Sequence, residues 1–396
     1  MRVLYGIVFF SIIVIFILFS AAACSRSFSF AGAEQVRTNT ENSGKGGIPT
    51  TSMPAGTQKK YQVGYRVFEI STTDYENKKV SVDVAVWYPS SENEKSFQYT
   101  YGKNQVRTEI VLNGKPAAGK FPLIIYSHGA TGCGLSMAFL TEKLASEGFI
   151  VASPDYPDEY YLCRTKRDLP KQKAFYKLKM LKWIKDLNDH MLGVKSYRPN
   201  LAYRPNLAKA VIGKVLAENK DSASPFYGLV NGNEIGLVGH SFGAWTSILV
   251  GGADLTYKDP RVKAIVSYSS PVYEGVFELS EMANIRIPAM FMYGEKEARH
   301  REKNDRKLYD RVNAPKFLLQ IKGADHMTFS GGVREEFPSI SEYRLKDPIR
   351  AVIVDYTVAF FEYYLKKDNE AGKQLDIQSK ELVLYLKDFS GSGSTP

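Results

Sequence analysis

The sequence has few cysteines and few histidines for its length. Among 396 residues there are three cysteines and five histidines. Three cysteines are too few for a disulfide scaffold. Zinc-finger spacings and basic regions with heptads are also missing, so the net charge of +10 has no nucleic-acid-binding motif beside it. We expect no nucleic acid partner, and the basic balance favours either anionic surfaces such as lipid headgroups or an ordinary solvated surface.

The first residues have the pattern of an export signal. Arg2 precedes a nearly unbroken apolar run over residues 7–19, and Ala-Ala-Ala-Cys follows at residues 21–24. A positive start, an apolar stretch and small residues at a cleavage site predict a signal peptide over residues 1–23. The end of this segment resembles a bacterial lipobox, in which Cys24 would become the lipidated first residue. Ordinary cleavage and a permanent membrane anchor are the alternatives.

These features predict an exported protein, either a cell-envelope lipoprotein or a secreted or periplasmic one. Lipidation of Cys24 would give it membrane association. Export would place Cys133 and Cys163 in an oxidising compartment, where they could pair. Whether they do pair stays open at this point, because the sequence does not give the distance between their Cα atoms.

The chain reads as one folded domain between two polar segments. Residues 24–60 are rich in Ser, Thr, Gly and Asn and predict a flexible tether, and residues 390–396 predict a disordered tail. In the domain, 61–389, early strands follow one another without helices, which predicts an antiparallel edge. From the apolar run at 121–126 onward, strands alternate with helices, which predicts a parallel sheet with helices on both faces.

One long segment interrupts this alternation, an insertion at about 158–233. It contains a Lys-rich helical stretch at 171–191 and a tandem duplication in which Tyr-Arg-Pro-Asn-Leu-Ala begins at Tyr197 and again at Tyr203. Two interpretations are open. The insertion lies over the carboxyl edge of the sheet, where ligands bind in open α/β folds, or it consists of two ordinary crossover helices with a slack loop.

The sequence Gly239-His240-Ser241-Phe242-Gly243 carries the chemistry. It follows the apolar strand that begins at Ile235 and precedes a helical run that begins at Ala244. A strand that turns sharply into a helix forces the serine into a strained conformation, and bulk two residues to either side would clash. This is the setting of the nucleophile elbow in the α/β-hydrolase fold, and it predicts Ser241 as the nucleophile.

A serine nucleophile needs a base to take its proton. The candidates are His128, His190, His240, His300 and His326. In this fold the triad follows the chain order serine, acid, histidine. His326 follows the last core strand and leaves room for an acid and a strand after Ser241, so we predict it as the base. His240 lies beside the nucleophile, and we expect its side chain to point elsewhere.

The acid is expected just past the strand at 287–293. Glu297 lies where this turn usually carries the acid, with Glu295 as the close rival. Asp325 neighbours His326 in sequence, which makes it a poor partner for orienting the ring. The oxyanion hole needs two backbone donors. We predict the N–H of Phe242 and the N–H of Ala130, from the glycine-rich loop after the strand at 121–126.

Taken together, these segments resemble a known family. They are similar to the bacterial relatives of platelet-activating-factor acetylhydrolase, often labelled predicted dienelactone hydrolases, and more distantly to cutinase-like polyester hydrolases. The matching segments are Val86-Trp-Tyr-Pro, Phe121-Pro-Leu-Ile-Ile-Tyr-Ser-His-Gly, Tyr203-Arg-Pro-Asn, Ile235-Gly-Leu-Val-Gly-His-Ser-Phe-Gly-Ala and Ala324-Asp-His-Met-Thr-Phe-Ser. The resemblance implies the α/β-hydrolase fold, with Ser241 and His326 catalytic and with Ala130 and Phe242 as oxyanion donors.

The families that the chain resembles carry the acid of the triad after different strands. The acetylhydrolases carry it after the strand that matches Val262–Tyr268, where the nearest acid here is Glu274. Polyester hydrolases carry it one strand later, which supports Glu297. Dienelactone hydrolases proper use a cysteine nucleophile, so that label does not describe this serine-bearing chain.

The sequence therefore predicts a serine hydrolase that cleaves a small-molecule or lipid carboxylic ester through an acyl-enzyme. This mechanism needs no metal and no organic cofactor. Within enzymes, the alternatives are a phospholipase A2-type acetylhydrolase, a polyester hydrolase and an amidase. Outside enzymes, the alternative is a surface lipoprotein that binds a ligand and has lost catalysis.

Overall fold

A computed structural model describes residues 60–101, 104–166, 175–191, 199–271, 276–297, 306–313, 315–330 and 347–389. The predicted signal peptide, Cys24, the tether up to residue 59 and the tail 390–396 lie outside the described residues. So do His300, Glu274 and the first copy of the duplicated motif up to residue 198.

The described residues contain an eleven-stranded sheet. In chain order its strands are β1 (Gln62–Thr73), β2 (Lys79–Ser90), β3 (Lys95–Tyr101), β4 (Asn104–Leu112), β5 (Phe121–Ser127), β6 (Ile150–Pro154), β7 (Val230–His240), β8 (Val262–Tyr268), β9 (Ala289–Gly294), β10 (Lys316–Ile321) and β11 (Leu382–Asp388). Across the sheet the order is β11-β10-β9-β8-β7-β5-β6-β2-β1-β4-β3. The six strands from β6 to β10 in this order are parallel neighbours. Strand β5 is the middle one of the eleven, and every one of its residues is buried.

Antiparallel strands close both ends of the parallel section. At one end β2 pairs antiparallel with β6 and with β1, and at the other β11 pairs antiparallel with β10. The strands β3 and β4 form an antiparallel hairpin. The predicted antiparallel edge and parallel centre are both confirmed, whereas β11 is a strand that the sequence analysis did not predict.

Helices cover both faces of the sheet. In chain order, the helices of the described residues are α1 (Ala138–Ser146), α2 (Tyr176–Met191), α3 (Tyr203–Glu218), α4 (Phe242–Ile248), α5 (Leu279–Met282), α6 (Pro348–Lys366) and α7 (Asn369–Gln374). Helices α1 and α6 bury Leu140, Phe360 and Phe361 with the strands on one face. Helices α3 and α4 contact each other and the central strands β5 and β7, and they bury Val211 and Trp245.

The last long helix shows how local sequence sets an element's ends. Asp347 precedes α6 and accepts a hydrogen bond from the Arg350 N–H at 3.0 Å, and Pro348 occupies the first turn, where its missing N–H costs no hydrogen bond. Lys367 ends the helix in the left-handed conformation, at φ 61°. Between these caps, apolar residues recur with helical spacing, and most of the helix is buried.

Helix α2 lies in a separate compact unit, Lys173–Asp189. In this unit Met180 and Leu187 are buried, while Lys179 and Lys182 are exposed. The predicted Lys-rich helix is therefore present. None of the helices in the described ranges is long and apolar enough to cross a membrane.

A disulfide joins Cys133 to Cys163, whose Cα atoms are 5.5 Å apart. Both sulfur-bearing residues are fully buried. The pairing that the sequence left open is therefore made in the structure. It links the loop after β5 to the segment after β6, two stretches that both lead away from carboxyl ends of parallel strands.

Candidate active site

The turn between β7 and α4 holds Ser241 in a strained conformation. Its φ is 53° and its ψ is −117°, and its backbone N–H donates to the Tyr268 carbonyl at 2.9 Å. A Cβ on Gly239 would lie 2.2 Å from the Gly243 carbonyl oxygen, and a Cβ on Gly243 would lie 1.9 Å from the Ser127 carbonyl oxygen. Neither position tolerates a side chain, which is the physical basis of the glycines in the motif.

His326 lies within hydrogen-bonding distance of this serine. Its Nε2 is 3.1 Å from the Ser241 Oγ. The histidine opens a short 3₁₀ helix after β10, and Asp325 caps that helix by accepting from the Thr328 N–H at 2.8 Å. Asp325 is thus engaged with its own turn, as expected of a residue adjacent to the base. The His326 side chain is 42% exposed, so the reacting face of the site is open to solvent.

Glu297 lies on the other side of the imidazole. Its Oε2 is 3.4 Å from the His326 Nδ1, a long contact of the kind that tightens when substrate binds. Its Oε1 accepts from the Ser269 hydroxyl at 2.6 Å and from the Gly294 N–H at 2.7 Å. The carboxylate is 5% exposed, so these bonds hold one oxygen while the other faces the ring.

The rival acids do not share this position. Glu295 is exposed, and its Oε2 accepts from the Gly323 N–H at 2.7 Å. Glu274 lies outside the described residues. The structure therefore brings together Ser241, His326 and Glu297 out of the candidates that the sequence offered.

His240 has a role that could not be foreseen from the sequence. We expected its side chain to point away from the nucleophile and assigned it no contact. Instead its Nε2 lies 2.9 Å from the carbonyl oxygen of His326, and the two rings are 4.9 Å apart. The N–H of this ring donates to the loop that carries the base, so the residue before the nucleophile positions the loop of its partner.

The predicted oxyanion loop borders the nucleophile. A Cβ on Gly129 would lie 3.3 Å from the Ser241 Cβ, which is closer than an ordinary contact, so the loop approaches the nucleophile closely here. Ala130 follows directly, and Thr131 adopts a left-handed φ of 66°. Phe242, the second predicted donor, is the first residue of α4, where N–H groups have no intrahelical acceptor.

The ring of His128 fixes the start of this loop. Its Nε2 accepts from the Tyr156 N–H at 3.0 Å, so the ring proton lies on Nδ1, which donates to the Gly129 carbonyl at 2.7 Å. Burial, aided by the neighbouring Arg204 cation, lowers the pKa of His128 to about 3. The ring is therefore neutral at ordinary pH and keeps this tautomer.

A buried ion pair lies behind the loop. Arg204, from α3, and Asp158 are both fully buried, and the Arg204 Nε donates to Asp158 at 2.9 Å. Burial alone would lower the pKa of Arg204, but the carboxylate of Asp158 raises it above its usual range. The duplicated Tyr-Arg-Pro-Asn motif thus supplies, through its second copy, a charged group beside the site.

In the described part of the chain, no group of three or more histidine, cysteine or acidic side chains is arranged to hold a metal ion. The chemistry that the site can support is that of a hydroxyl, an imidazole and a carboxylate in sequence, with backbone N–H groups nearby. This is the constellation of nucleophilic acyl transfer.

Comparison with known proteins gives a concordant result. Residues 87–191 match the family model described as platelet-activating factor acetylhydrolase, isoform II. Among solved structures, the chain is similar to a ferulic acid esterase from Streptomyces cinnamoneus, with a TM-score of 0.55 and 18% identity over 81% of this chain and 94% of that one. This chain has the α/β-hydrolase fold, and part of it resembles the platelet-activating factor acetylhydrolases.

The predicted fold class and the resemblance are therefore confirmed, and the comparisons support a carboxylic ester hydrolase. No curated protein matches the sequence. The family match includes the predicted oxyanion loop but ends before Ser241 and His326. The arrangement of those two residues is thus an observation independent of the match.

We predict that His128 makes the stability of the protein depend on pH. Between about pH 6.5 and pH 3 the unfolded chain binds a proton at this imidazole that the folded chain does not bind. Stability rises with pH wherever the unfolded state binds more protons, so the contribution of the neutral ring is lost as the pH falls through this range. In urea titrations, His128→Gln should have a flatter pH dependence of the unfolding free energy than the wild type.

His300→Gln is the matched control, because that histidine comes from a charged segment of the sequence. It should follow the wild-type curve. Parallel curves for the wild type and His128→Gln would show that His128 is not the group responsible.

Proposed function

We propose that the protein is a serine esterase that works through a Ser241–His326–Glu297 triad and an acyl-enzyme intermediate. The observation that carries the proposal is the 3.1 Å approach of the His326 Nε2 to the Ser241 Oγ at a strained strand-to-helix turn. In this mechanism His326 takes the hydroxyl proton as the oxygen attacks the ester carbonyl. The ring then protonates the leaving alcohol, and water repeats the cycle on the acyl-enzyme.

The other groups have supporting roles in this scheme. The N–H groups of Phe242 and Ala130 stabilise the oxyanion that forms on the carbonyl oxygen. Glu297 holds the imidazole in the tautomer that leaves Nε2 free to accept a proton, because its Oε2 faces Nδ1. The cycle needs no metal and no organic cofactor.

The substrate class follows from the comparisons as a narrower proposal. The family model carries the name of an acetylhydrolase of a phospholipid, and it matches a part of the chain that holds the oxyanion loop. We therefore propose a phospholipid with a short acyl chain as the first candidate substrate. The alternatives to compare with it are a polyester and an aromatic ester of the ferulate type. The structural neighbour is named as an esterase of ferulic acid.

We further propose that the protein is exported and lipidated at Cys24. The apolar segment before Ala-Ala-Ala-Cys and the Cys133–Cys163 disulfide support this, since stable disulfides form mainly outside the cytoplasm.

Ser241→Ala should abolish hydrolysis of short p-nitrophenyl esters, because the mechanism loses its nucleophile. We expect a loss of several orders of magnitude in kcat, about 10⁶-fold as for removal of a triad serine elsewhere. A fluorophosphonate probe should label the wild type and leave Ser241→Ala unlabelled. Ser222→Ala, at an exposed turn after α3, is the control and should behave as the wild type. Turnover by Ser241→Ala would refute the proposal. A wild-type protein that binds the ester but neither hydrolyses it nor reacts with the probe would favour the ligand-binding alternative.

Glu297→Gln should lower kcat by up to about 10⁴-fold, because an amide in this place favours the wrong imidazole tautomer. KM for the same ester should change little. Glu295→Gln is the matched control, since its carboxylate lies on the surface and caps Gly323. A larger loss in Glu295→Gln than in Glu297→Gln would assign the acid to the rival residue.

Fractionation of the native host tests the export proposal. The wild type should be found with membranes and be released by detergent, whereas Cys24→Ser should lose that association. Ser25→Ala, one residue away, should remain with the membranes. A wild-type protein found in the cytoplasm would contradict export, and one found free outside it would indicate ordinary cleavage of the signal peptide.

A further inference from the structure

Arg204 makes contacts that exceed the needs of an ion pair. Its Nη1 donates to the His128 carbonyl at 2.8 Å, and its Nη2 lies 3.5 Å from the Gly129 carbonyl. These are the two carbonyls of the oxyanion loop that directly precede Ala130. The same Nη2 also donates to the Asp158 carboxylate. One guanidinium therefore joins α3, the segment after β6 and the loop after β5.

The guanidinium also contacts the other side of the predicted hole. Its carbon lies 3.9 Å from the centre of the Phe242 ring and 4.5 Å from that of Tyr156. A cation over an aromatic face is attracted to it, more strongly when water is excluded, and Arg204 is fully buried. Phe242 carries the second predicted oxyanion N–H, so a single side chain packs against both halves of the hole.

Because the peptide group is planar, these contacts fix the direction of the Ala130 N–H. The Gly129 carbonyl and the Ala130 N–H belong to one planar peptide unit and point in opposite directions. Arg204 and the His128 ring hold the carbonyl on one side. The Ala130 N–H is therefore directed away from Arg204, on a loop whose Gly129 borders Ser241.

Stability alone does not explain why the ion pair of Arg204 and Asp158 is buried here. A buried ion pair contributes little to stability compared with a well-packed apolar pair of similar volume, so its presence calls for a positional reason. Asp158 keeps the cation charged, and Tyr203 donates to the same carboxylate at 2.7 Å. Lysine could not reproduce the pattern, because its ammonium lacks the planar fork that reaches a carboxylate and two carbonyls together.

We propose that Arg204 is a positioning residue for the oxyanion hole, which it orients by holding the carbonyls of His128 and Gly129 and by packing on Phe242. The inference rests on the proposed function, since it assigns the hole to Ala130 and Phe242. It also accounts for the second copy of the Tyr-Arg-Pro-Asn motif. The arginine of that copy supports the catalytic groups from behind and does not touch the reacting atoms.

The test compares an oxygen ester with its thionoester counterpart, in which sulfur replaces the carbonyl oxygen. The sulfur accepts hydrogen bonds poorly, so an oxyanion hole accelerates the oxygen ester far more than the thionoester. For Arg204→Met we expect kcat on p-nitrophenyl acetate to fall by about 10- to 100-fold, somewhat less than the loss of a donor outright. The rate on p-nitrophenyl thionoacetate should fall much less, and KM for both should change little.

Two further variants separate orientation from folding. Asp158→Leu combined with Arg204→Met removes the charge pair as a unit, which avoids leaving one charge buried without a partner. It should fold with native circular dichroism and still show the lowered oxygen-to-sulfur ratio. Arg204→Lys should have an intermediate ratio. Arg198→Met, the same substitution in the first copy of the motif, is the matched control and should keep the wild-type ratio.

A lowered ratio in Arg204→Met or in the double variant, with the wild-type ratio in Arg198→Met, supports the proposal. Wild-type kcat in Arg204→Met overturns it, and so does an equal loss on both esters in a natively folded variant, which would indicate a purely structural role. These results leave the proposed function intact. A wild-type protein that hydrolyses neither ester and resists the fluorophosphonate probe would overturn the proposed function, and this inference with it.

Discussion

The bend at Ser241 is the constraint on which the rest of the site depends. A non-glycine residue at a φ of 53° and a ψ of −117° costs about 1–3 kcal/mol, and it persists only where its surroundings leave no alternative. Here Gly239 and Gly243 approach neighbouring backbone so closely that no side chain fits. The Tyr268 carbonyl of the adjacent strand accepts the serine N–H. The stability of the buried parallel sheet thus holds the hydroxyl in position before any substrate arrives.

The same sheet explains what could be read from the sequence. Apolar runs bounded by turns predicted the parallel strands, and β8 has the predicted bounds, Val262–Tyr268. Chain order and a strand-to-helix motif were enough to choose Ser241, His326 and Glu297, which the structure brings together. The glycine-rich loop and the residue after the nucleophile predicted Ala130 and Phe242 as donors, and the family resemblance implies the same pair. Both belong to segments that lie beside the serine.

Contacts between distant parts of the chain could not be read in this way. Arg204 binds a carboxylate 46 residues away and a carbonyl 76 residues away, and no local pattern encodes such a pair. Strand β11 is an unbroken apolar run over its first five residues, and most of it is only partly buried, so it lacks the alternation of apolar and polar residues that marks a strand with one buried face. His240 contacts the base through a carbonyl 86 residues later, a role that depends on tertiary packing rather than on the motif that contains it.

Glu297 and Ser269 show how neighbouring strands of this sheet bring residues to one place. Strands β8 and β9 are parallel neighbours, and their carboxyl ends deliver Ser269 and Glu297 to the same place, where the two side chains are 2.6 Å apart. Ser269 follows β8, while the glutamate follows β9, one strand later in the chain. Residues from two neighbouring strands therefore meet at a single carboxylate. Because the carboxyl ends of adjacent parallel strands open at one place, the strand that carries a residue says little about where its side chain lies in the site.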